Sequence, residues 1–424
     1  MNFRIIAYII GWVCNFQAAF MLLPAVTAII YWEKDLFAFL ISMVICLSVG
    51  IPLTLRKPKN KVFYIKDGCV AVALSWIALC ITGALPFWLT SSIPHPIDAL
   101  FETVSGFTTT GASILTDVEV LPHSVLIWRS FTHWIGGMGV LVFLLSLLPL
   151  TGGYHMNLMK AESPGPSVSK LVPKVQSTAK ILYTIYIGMT LLQIILLLIG
   201  RVPLFDTLCI SFGTAGTGGF GIKNDSMGGY SHYCIIVTTV FMILFGVNFS
   251  VYYLALTKKF KQALKFEEIR YYFGIIATAI ILIVINTSHL FTSFGIAIEQ
   301  SAFQVGSIIT TTGFSSTDFN QWPAFSKTIL VLLMFVGACA GSTGGGIKVS
   351  RFLILCKAAK KELQLYLHPN AVKKIKMDNK SISHDVLRST NIYITLYLLI
   401  FAASVLVVSL DNFNLITNFT AVAA

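Results

Sequence analysis

The chain has 424 residues, of which 56% are hydrophobic and only 11% charged, and its formal net charge is +12. This composition excludes an ordinary soluble domain and is typical of a membrane protein with several spans. The positive charge does not indicate nucleic-acid binding, because the basic residues flank the apolar segments.

Nine apolar segments are long enough to cross a bilayer as helices, which takes about 20 residues. The predicted spans are 5–31, 35–54, 69–90, 122–149, 179–200, 232–256, 272–292, 326–358 (interrupted) and 391–410. The first follows only four residues and is too long for the apolar part of a secretion signal, so we predict that it is retained.

Basic residues predict the orientation of these spans. If the N-terminus is cytoplasmic, 25 of the 30 Lys and Arg residues lie in cytoplasmic segments. Cytoplasmic loops of membrane proteins carry such an excess of Lys and Arg. We therefore expect a multi-pass protein with a cytoplasmic N-terminus.

Three short polar segments recur between the spans, and their glycines lie 108 and 94 residues apart. We call them loop 1 (Thr109, Thr110, Gly111), loop 2 (Thr217, Gly218, Gly219) and loop 3 (Thr311, Thr312, Gly313). Glycine permits backbone angles that a Cβ would forbid, and a ring of bare carbonyls can replace the water around a cation. The pattern predicts an ion filter, with potassium held at Thr110, Gly111, Gly218, Gly219, Thr312 and Gly313.

A short amphipathic stretch precedes each loop and begins near an acid: Asp98, Asp206 or Glu299. A helix of about ten residues cannot span the bilayer, so we predict half-helices that re-enter the membrane from outside. The C-terminal end of such a helix carries a partial negative charge, which favours a cation at the loop.

These units predict an all-α polytopic membrane protein, in which tandem helix–pore-loop–helix repeats surround a pseudo-fourfold pore. The predicted segments are an N-terminal two-helix hairpin (1–56), repeat 1 (67–150), repeat 2 (175–258), repeat 3 (270–364) and an incomplete repeat 4 (388–424). The register of the repeats places a fourth loop glycine about five residues beyond Ala424. We therefore expect a chain that stops before its fourth loop.

A Gly-rich loop (337–346) interrupts the eighth span. Its candidate gating residues are Gly337, Gly341, Ser342, Thr343, Gly344, Gly345 and Gly346, followed by Lys348. Four glycines in six residues do not sustain a regular helix. Small residues could instead mark a close helix contact, but such contacts need spaced glycines, so we favour an unwound gating loop.

Three further features, His133, Arg129 and a basic run, each allow a plainer interpretation. His133 could relay protons, but a packed histidine is the more frequent role of a lone intramembrane imidazole. Arg129, beside Trp128, is interpreted as an anchor at the outer interface. The basic run 373–376 fits a lipid-headgroup contact or a docking surface for a cytoplasmic partner.

Together these residues resemble the Trk/Ktr/HKT potassium transporters. The resemblance is carried by the three loops, the Trp128–Met138 segment and Ala340–Lys348, and the N-terminal hairpin resembles the TrkH branch. It implies one filter glycine per repeat and an intramembrane gating loop in the third repeat. It also implies a homodimer in the bacterial inner membrane, with a cytoplasmic TrkA-like subunit that binds NAD or ATP, and no covalent cofactor.

The expected function is potassium uptake through a gated, carbonyl-lined filter, without enzymatic activity. Glycine at all three loop positions, with no serine at the first, favours potassium over sodium within such a family. One alternative is an alternating-access cation carrier, for which repeats of inverted topology would be expected. Another is a truncated remnant that does not transport.

Overall fold

A computed structural model describes residues 1–55, 57–58, 63–139, 175–370 and 374–424. These residues are mainly helical and divide into two compact units. Unit 1 contains the described residues up to Met242 together with Thr312–Ser316, and unit 2 contains Ile243–Thr311 and Thr317–Ala424. Loop 3 is thus divided after Thr311.

The described part of unit 1 consists of long apolar helices and shorter ones between them. Its helices are α1 (Phe3–Phe20), α2 (Leu22–Ile30), α3 (Leu36–Leu55), α4 (Ile65–Leu89), α5 (Pro96–Phe107), α6 (His123–Gly137), α7 (Val175–Ile199), α8 (Leu204–Gly216) and α9 (His232–Phe245), whose last residues enter unit 2. The break between α1 and α2 has a local cause, because Pro24 lacks an amide hydrogen and its ring excludes the Phe20 carbonyl from a regular turn.

The N-terminal helices pack closely through glycine. A Cβ at Gly11 would lie 2.7 Å from the Leu53 Cβ, and one at Gly50 would lie 2.8 Å from the Gly11 carbonyl oxygen. Small residues of this kind let the backbones of α1 and α3 approach each other inside a membrane.

The described part of unit 2 consists of further helices and a short hairpin. They are α10 (Phe249–Leu256), α11 (Phe260–Ala263), α12 (Glu267–Thr287), α13 (Phe294–Ile309), α14 (Ala324–Val336), α15 (Val349–Leu367), α16 (His384–Val408) and α17 (Leu415–Ala423), with β1 (Lys376–Met377) and β2 (Lys380–Ser381). Three 3₁₀ turns lie at Ser288–Leu290, Phe319–Gln321 and Ser409–Asp411. Strands β1 and β2 pair antiparallel, with Lys376 opposite Ser381.

Among the described residues, six helical segments are long and apolar enough to cross a membrane, or seven with the bent pair α9–α10. The all-helical, multi-pass class predicted from composition is therefore confirmed. The expected interruption of the eighth span is also confirmed, since α14 ends at Val336 and α15 begins at Val349. The bounds of the predicted repeats stay predictions.

Three expectations about the spans need correction or restriction. Segment 232–256 is not one continuous helix, because α9 and α10 meet at an angle of 94° around Gly246–Asn248. The third half-helix does not begin near Glu299; it begins at Phe294, because the Ser293 side chain caps the Ile296 amide. The predicted span 122–149 is helical from His123 to Gly137, and its residues 140–149 lie outside the described part.

Candidate cation site

The three Thr/Gly loops share one backbone conformation. Thr109, Thr217 and Thr311 have φ of 57°, 55° and 57°, and Gly111, Gly219 and Gly313 have φ of 79°, 76° and 86°. The middle residue of each loop, Thr110, Gly218 or Thr312, does not have a positive φ. Alternation of positive and negative φ along a short loop can turn successive carbonyl oxygens toward the same side, which is the arrangement that a cation can use.

A left-handed threonine is costly, because its branched Cβ crowds the backbone. Each of these threonines donates its hydroxyl to the preceding carbonyl oxygen, at 2.7 Å in loop 1 and 2.6 Å in loops 2 and 3. The same strained residue therefore occurs three times with the same hydrogen bond. Strain of this type concentrates at functional sites, where the surrounding structure maintains it.

The half-helices hold the loops through their last turns. Thr110 N–H donates to the Ser105 carbonyl at 2.9 Å, and Gly218 N–H donates to the Gly213 carbonyl at 3.0 Å. These are the six-to-one bonds of a Schellman helix end, in which a left-handed residue follows the last helical turn. In this chain that residue is threonine in place of the usual glycine.

Within unit 1 the residues of the three loops converge. A Cβ at Gly111 would collide with the Gly218 carbonyl oxygen and lie 3.8 Å from the Thr312 carbonyl oxygen. A Cβ at Gly219 would collide with the Thr312 carbonyl oxygen. Only glycine fits at these two positions, because backbone oxygens of the neighbouring loops occupy the space that a side chain would take.

His133 braces this arrangement from α6. One ring nitrogen, Nδ1, lies 2.8 Å from the Gly106 carbonyl oxygen, and the other, Nε2, lies 3.2 Å from the Phe220 amide nitrogen. The carbonyl requires a donor and the amide requires an acceptor, so the imidazole is neutral with its proton on Nδ1. The structure therefore places His133 as a packed residue that joins the first half-helix to loop 2, as its plainer interpretation expected.

Arg129 is not an anchor at the outer interface. Its side chain is 4% exposed, and its Nε donates to Oε1 of the fully buried Glu102 at 2.5 Å. A guanidinium NH donates to the Gly221 carbonyl at 2.8 Å, and the group lies 3.8 Å from the centre of the Phe220 ring. A buried arginine is stable only with an anion and hydrogen-bond acceptors around it. Here these partners are distant in sequence, so the residues next to Arg129 do not reveal them.

Glu102 connects this pair to loop 1. Its Oε1 accepts from the Ser113 hydroxyl at 3.0 Å, and its Oε2 accepts from the Ile114 amide at 3.0 Å. Sequence reasoning did not identify Glu102. The available signal was a second acid in the half-helix, beyond Asp98, and a base in the following span of the same repeat, because intramembrane charges usually occur in pairs.

Further hydrogen bonds join the segments that follow the loops, again within unit 1. The Asn224 side chain accepts from the Val118 amide at 2.9 Å and donates to Asp117 at 2.8 Å. The Met227 amide donates to the Ser315 carbonyl at 2.8 Å. Each loop exit is therefore tied to the next one.

At the beginning of α6, Glu33 occupies the helix N-terminus. It accepts from the His123 amide at 2.7 Å and from the Ser124 amide at 3.0 Å, and Tyr31 stacks on the His123 ring at 3.9 Å. Partial burial raises the pKa of Glu33, but the hydrogen bonds from Ser124 and His123 together lower it by more. The net shift of the Glu33 pKa is therefore downward.

In unit 2 the Gly-rich loop is an ordered, non-helical segment. Gly337, Gly341 and Gly346 have φ of 70°, 70° and 76°, and Lys348 has φ of 73°. The Ser342 hydroxyl donates to the Cys339 carbonyl at 2.6 Å, and the Lys348 ammonium donates to the Gly344 carbonyl. The predicted loop residues thus lie together, with several of their polar groups paired inside the loop.

The break between α9 and α10 supplies the outer partners of this loop. The Cys339 amide donates to the Gly246 carbonyl at 3.0 Å, and the Phe249 amide donates to the Gly341 carbonyl at 2.9 Å. Thr343 donates its hydroxyl to the Phe245 carbonyl at 3.3 Å. Two unwound segments therefore satisfy each other, which is how irregular backbone is tolerated at membrane depth.

The Gly-rich loop also contacts the end of the third half-helix. The Gly345 amide donates to the Thr311 hydroxyl at 2.7 Å, and a Cβ at Gly344 would lie 2.9 Å from the Thr310 carbonyl oxygen. This loop is therefore bonded to the left-handed threonine that begins loop 3. A change in its position would be felt at that threonine.

Comparisons with known proteins identify the family of this architecture. Residues 35–424 match the family described as "TrkH: Cation transport protein". The chain is 33% identical to the Trk system potassium uptake protein TrkH of Salmonella typhimurium and 34% identical to TrkG of Escherichia coli, covering 100% and 99% of this chain and 89% and 88% of those proteins. The crystal structure of the potassium transporter TrkH from Vibrio parahaemolyticus superposes with a TM-score of 0.90 at 30% identity, covering 100% of this chain and 89% of that one. The chain belongs to the TrkH family of cation transport proteins, as its loops and its interrupted span predicted.

Proposed function

We propose that the chain takes up potassium across the bacterial inner membrane through a filter formed by loops 1 to 3. The observation that carries the proposal is the repeated backbone, with a left-handed threonine and a left-handed glycine in each loop. The names of the similar proteins, which are potassium uptake proteins, support the same ion.

The carbonyls of Thr110, Gly111, Gly218, Gly219, Thr312 and Gly313 would replace the water of the entering ion. Each loop follows a half-helix C-terminus, whose partial negative charge favours a cation. A filter of backbone oxygens discriminates by the number and field of those oxygens, and its geometry must be held against collapse. Glu102, Arg129 and His133 would hold it.

The Gly-rich loop would act as the gate. It lies in the interruption of a membrane-spanning segment and is bonded to Thr311 at the beginning of loop 3. Its closed form would be stabilised by the hydrogen bonds to the α9–α10 break. Opening would require that these bonds be exchanged for others.

Rubidium uptake in bacteria that lack their own potassium uptake systems tests the ion. The chain should restore saturable rubidium uptake, with potassium a strong competitor and sodium a weak one. The Gly111→Ser variant should become more sensitive to sodium. The matched control is Gly188→Ser on α7, where a Cβ would meet no described atom within 4 Å. Equal competition by sodium and potassium in the unmodified chain would refute the potassium assignment.

Deletion of Gly344–Gly346 tests the gate. Uptake per inserted molecule should rise, because the remaining segment is too short to keep its bonds to Thr311 and Phe245. Unchanged or lower uptake, with normal membrane insertion, would count against a gating role.

The orientation, oligomeric state and regulation of the chain are part of the same proposal. We propose a cytoplasmic N-terminus, a homodimer, and regulation by a cytoplasmic TrkA-like subunit that binds NAD or ATP. Reporter fusions at the N-terminus test the orientation, and co-purification of differently tagged copies tests the dimer. Nucleotide-dependent uptake with the partner present, and its loss without the partner, tests the regulation.

A further inference from the structure

One carboxylate in unit 2 holds both sides of the Gly-rich loop. Glu268, in the first turn of α12, is 4% exposed. Its Oε1 accepts from the Ala340 amide at 2.7 Å and from the Ser350 amide at 3.1 Å. Ala340 lies within the loop and Ser350 lies in the first turn of α15, so one carboxylate oxygen binds the chain on both sides of the segment between them.

This contact is distinct from those at the tip of the loop. The tip is held by Thr311, through the Gly345 amide, and by the internal bond from Lys348 to Gly344. Glu268 holds the base. A carboxylate oxygen is a stronger acceptor than a neutral carbonyl oxygen, so these two bonds favour the observed position of the base.

The residue before Glu268 is tied to the Lys-rich hairpin, by which we mean residues 376–381. Asp378, in the turn of this hairpin, accepts from the Glu267 amide at 2.8 Å. Asp378 and Asn379 have φ of 52° and 62°, as a tight two-residue turn requires. A carboxylate that accepts from the first amide of a helix stabilises its N-terminus, and the preceding residue Phe266 provides no side-chain cap.

Lys357 adds a second link. Its ammonium pairs with the Glu267 carboxylate and also donates to the Lys376 carbonyl at 2.8 Å. The hairpin is therefore attached to α12 at the residue next to Glu268, by one cap and one bridging lysine.

We propose that Glu268 is the positioning residue of the Gly-rich loop, and that the Lys-rich hairpin sets the position of Glu268 through Asp378 and Lys357. When the hairpin leaves α12, the first turn of α12 loses its cap, and the Glu268 carboxylate shifts away from the Ala340 and Ser350 amides. The loop then loses two of the hydrogen bonds at its base and keeps those that Cys339 and Gly341 make to the α9–α10 break. The consequence for flux rests on the gating role proposed above, whereas the consequence for loop position does not.

Reactivity of a cysteine in the loop measures its position directly. The reporter is Ser342→Cys, placed in a chain whose two exposed described cysteines, Cys69 and Cys356, are replaced by serine. A small thiol reagent should label the reporter severalfold faster in Glu268→Gln and in Asp378→Ala than in the parent. Asp378→Asn keeps the accepting oxygen and should label at nearly the parental rate.

Asp385→Ala is the matched control, because Asp385 is an exposed acid close to the hairpin in sequence and lies in the first turn of α16. It should change neither labelling nor rubidium uptake. Thermal denaturation of each variant is measured alongside, since a purely structural loss would lower Tm in Asp378→Ala without a selective rise in reporter labelling.

The outcomes separate the two ideas. Parental labelling in Asp378→Ala overturns the proposal, whether or not Glu268→Gln labels faster. Faster labelling in Asp378→Ala and Glu268→Gln, with rescue in Asp378→Asn, supports it. If labelling rises while rubidium uptake stays constant, the positioning stands and the gating role of the loop fails.

Discussion

Replacing Glu102 by glutamine removes the charge of a fully buried side chain and nearly preserves its shape. In the structure this carboxylate accepts from Arg129, from the Ser113 hydroxyl and from the Ile114 amide. Glutamine can still accept hydrogen bonds, but the guanidinium of Arg129, whose side chain is 4% exposed, loses its counter-ion.

Removal of one partner from a buried ion pair costs about 3–5 kcal/mol, because the other charge stays desolvated. The Gly221 carbonyl and the face of Phe220 remain in contact with Arg129, so we expect the lower part of that range. For a unit of roughly 200 residues, 1 kcal/mol corresponds to about 2–4 °C in Tm, which gives a loss on the order of 10 °C.

The assay has two readouts. Thermal denaturation of the purified, detergent-solubilised protein gives the change in Tm, and competition of sodium with rubidium uptake gives the selectivity. Selectivity should fall in Glu102→Gln, because Ile114 and Gly221 follow loops 1 and 2 and would no longer be held together. Asp98→Asn, in the first turn of the same half-helix, is the control that changes a charge outside the pair.

The double variant Glu102→Gln with Arg129→Gln should recover part of the lost stability, because it no longer leaves a lone buried charge. If the pair acts as a unit, the sum of the stability losses in the two single variants will exceed the stability loss in the double variant. A Tm loss in Glu102→Gln no larger than in Asp98→Asn, together with unchanged selectivity, would refute the reasoning.

Three further expectations follow from the same contacts. Gly219→Ala should abolish potassium selectivity, whereas Gly313→Ala should lower it less. A Cβ at Gly219 would collide with the Thr312 carbonyl oxygen, whereas a Cβ at Gly313 would meet no described atom within 4 Å. Equal effects of the two variants in the sodium-competition assay would contradict this expectation. His133→Phe should cost about 1–3 kcal/mol for each partner left unpaired, Gly106 O and Phe220 N–H, and lower both Tm and selectivity; an unchanged Tm would show that the ring only fills space. The pKa of Glu33 is lower in the folded than in the unfolded protein, so its contribution to stability is complete above the unfolded pKa and is lost as the pH falls through the folded pKa. Tm measured from about pH 6 to pH 3 should therefore fall more steeply in the parent than in Glu33→Gln. Parallel curves would exclude the effect.

Local features of the chain were predictable because their causes are local. A glycine run breaks a helix wherever it occurs, so the interruption between Val336 and Val349 followed from composition. Short amphipathic stretches that end in Thr and Gly likewise predicted the three half-helices. The third half-helix begins before Glu299, because the Ser293 side chain, and not an acid, caps its first turn.

The bend at Gly246–Asn248 was not predictable from the apolar pattern, which continues through it. An unwound segment inside a membrane needs partners for its backbone, and here the Gly-rich loop, about 95 residues later in the chain, supplies them. Only the folded chain brings the two breaks together.

The membrane class, the three Thr/Gly loops and the family were readable from the amino-acid sequence, because these depend on apolar length and on short motifs. Tertiary structure decided what holds the loops: Glu102 with Arg129, His133 between Gly106 and Phe220, and Glu268 at the base of the Gly-rich loop. The physical reason is that a buried charge or imidazole is defined by its partners. Those partners lie 27 residues away for both Arg129 and the Gly106 contact of His133, and 72 for Glu268, so packing alone selects them.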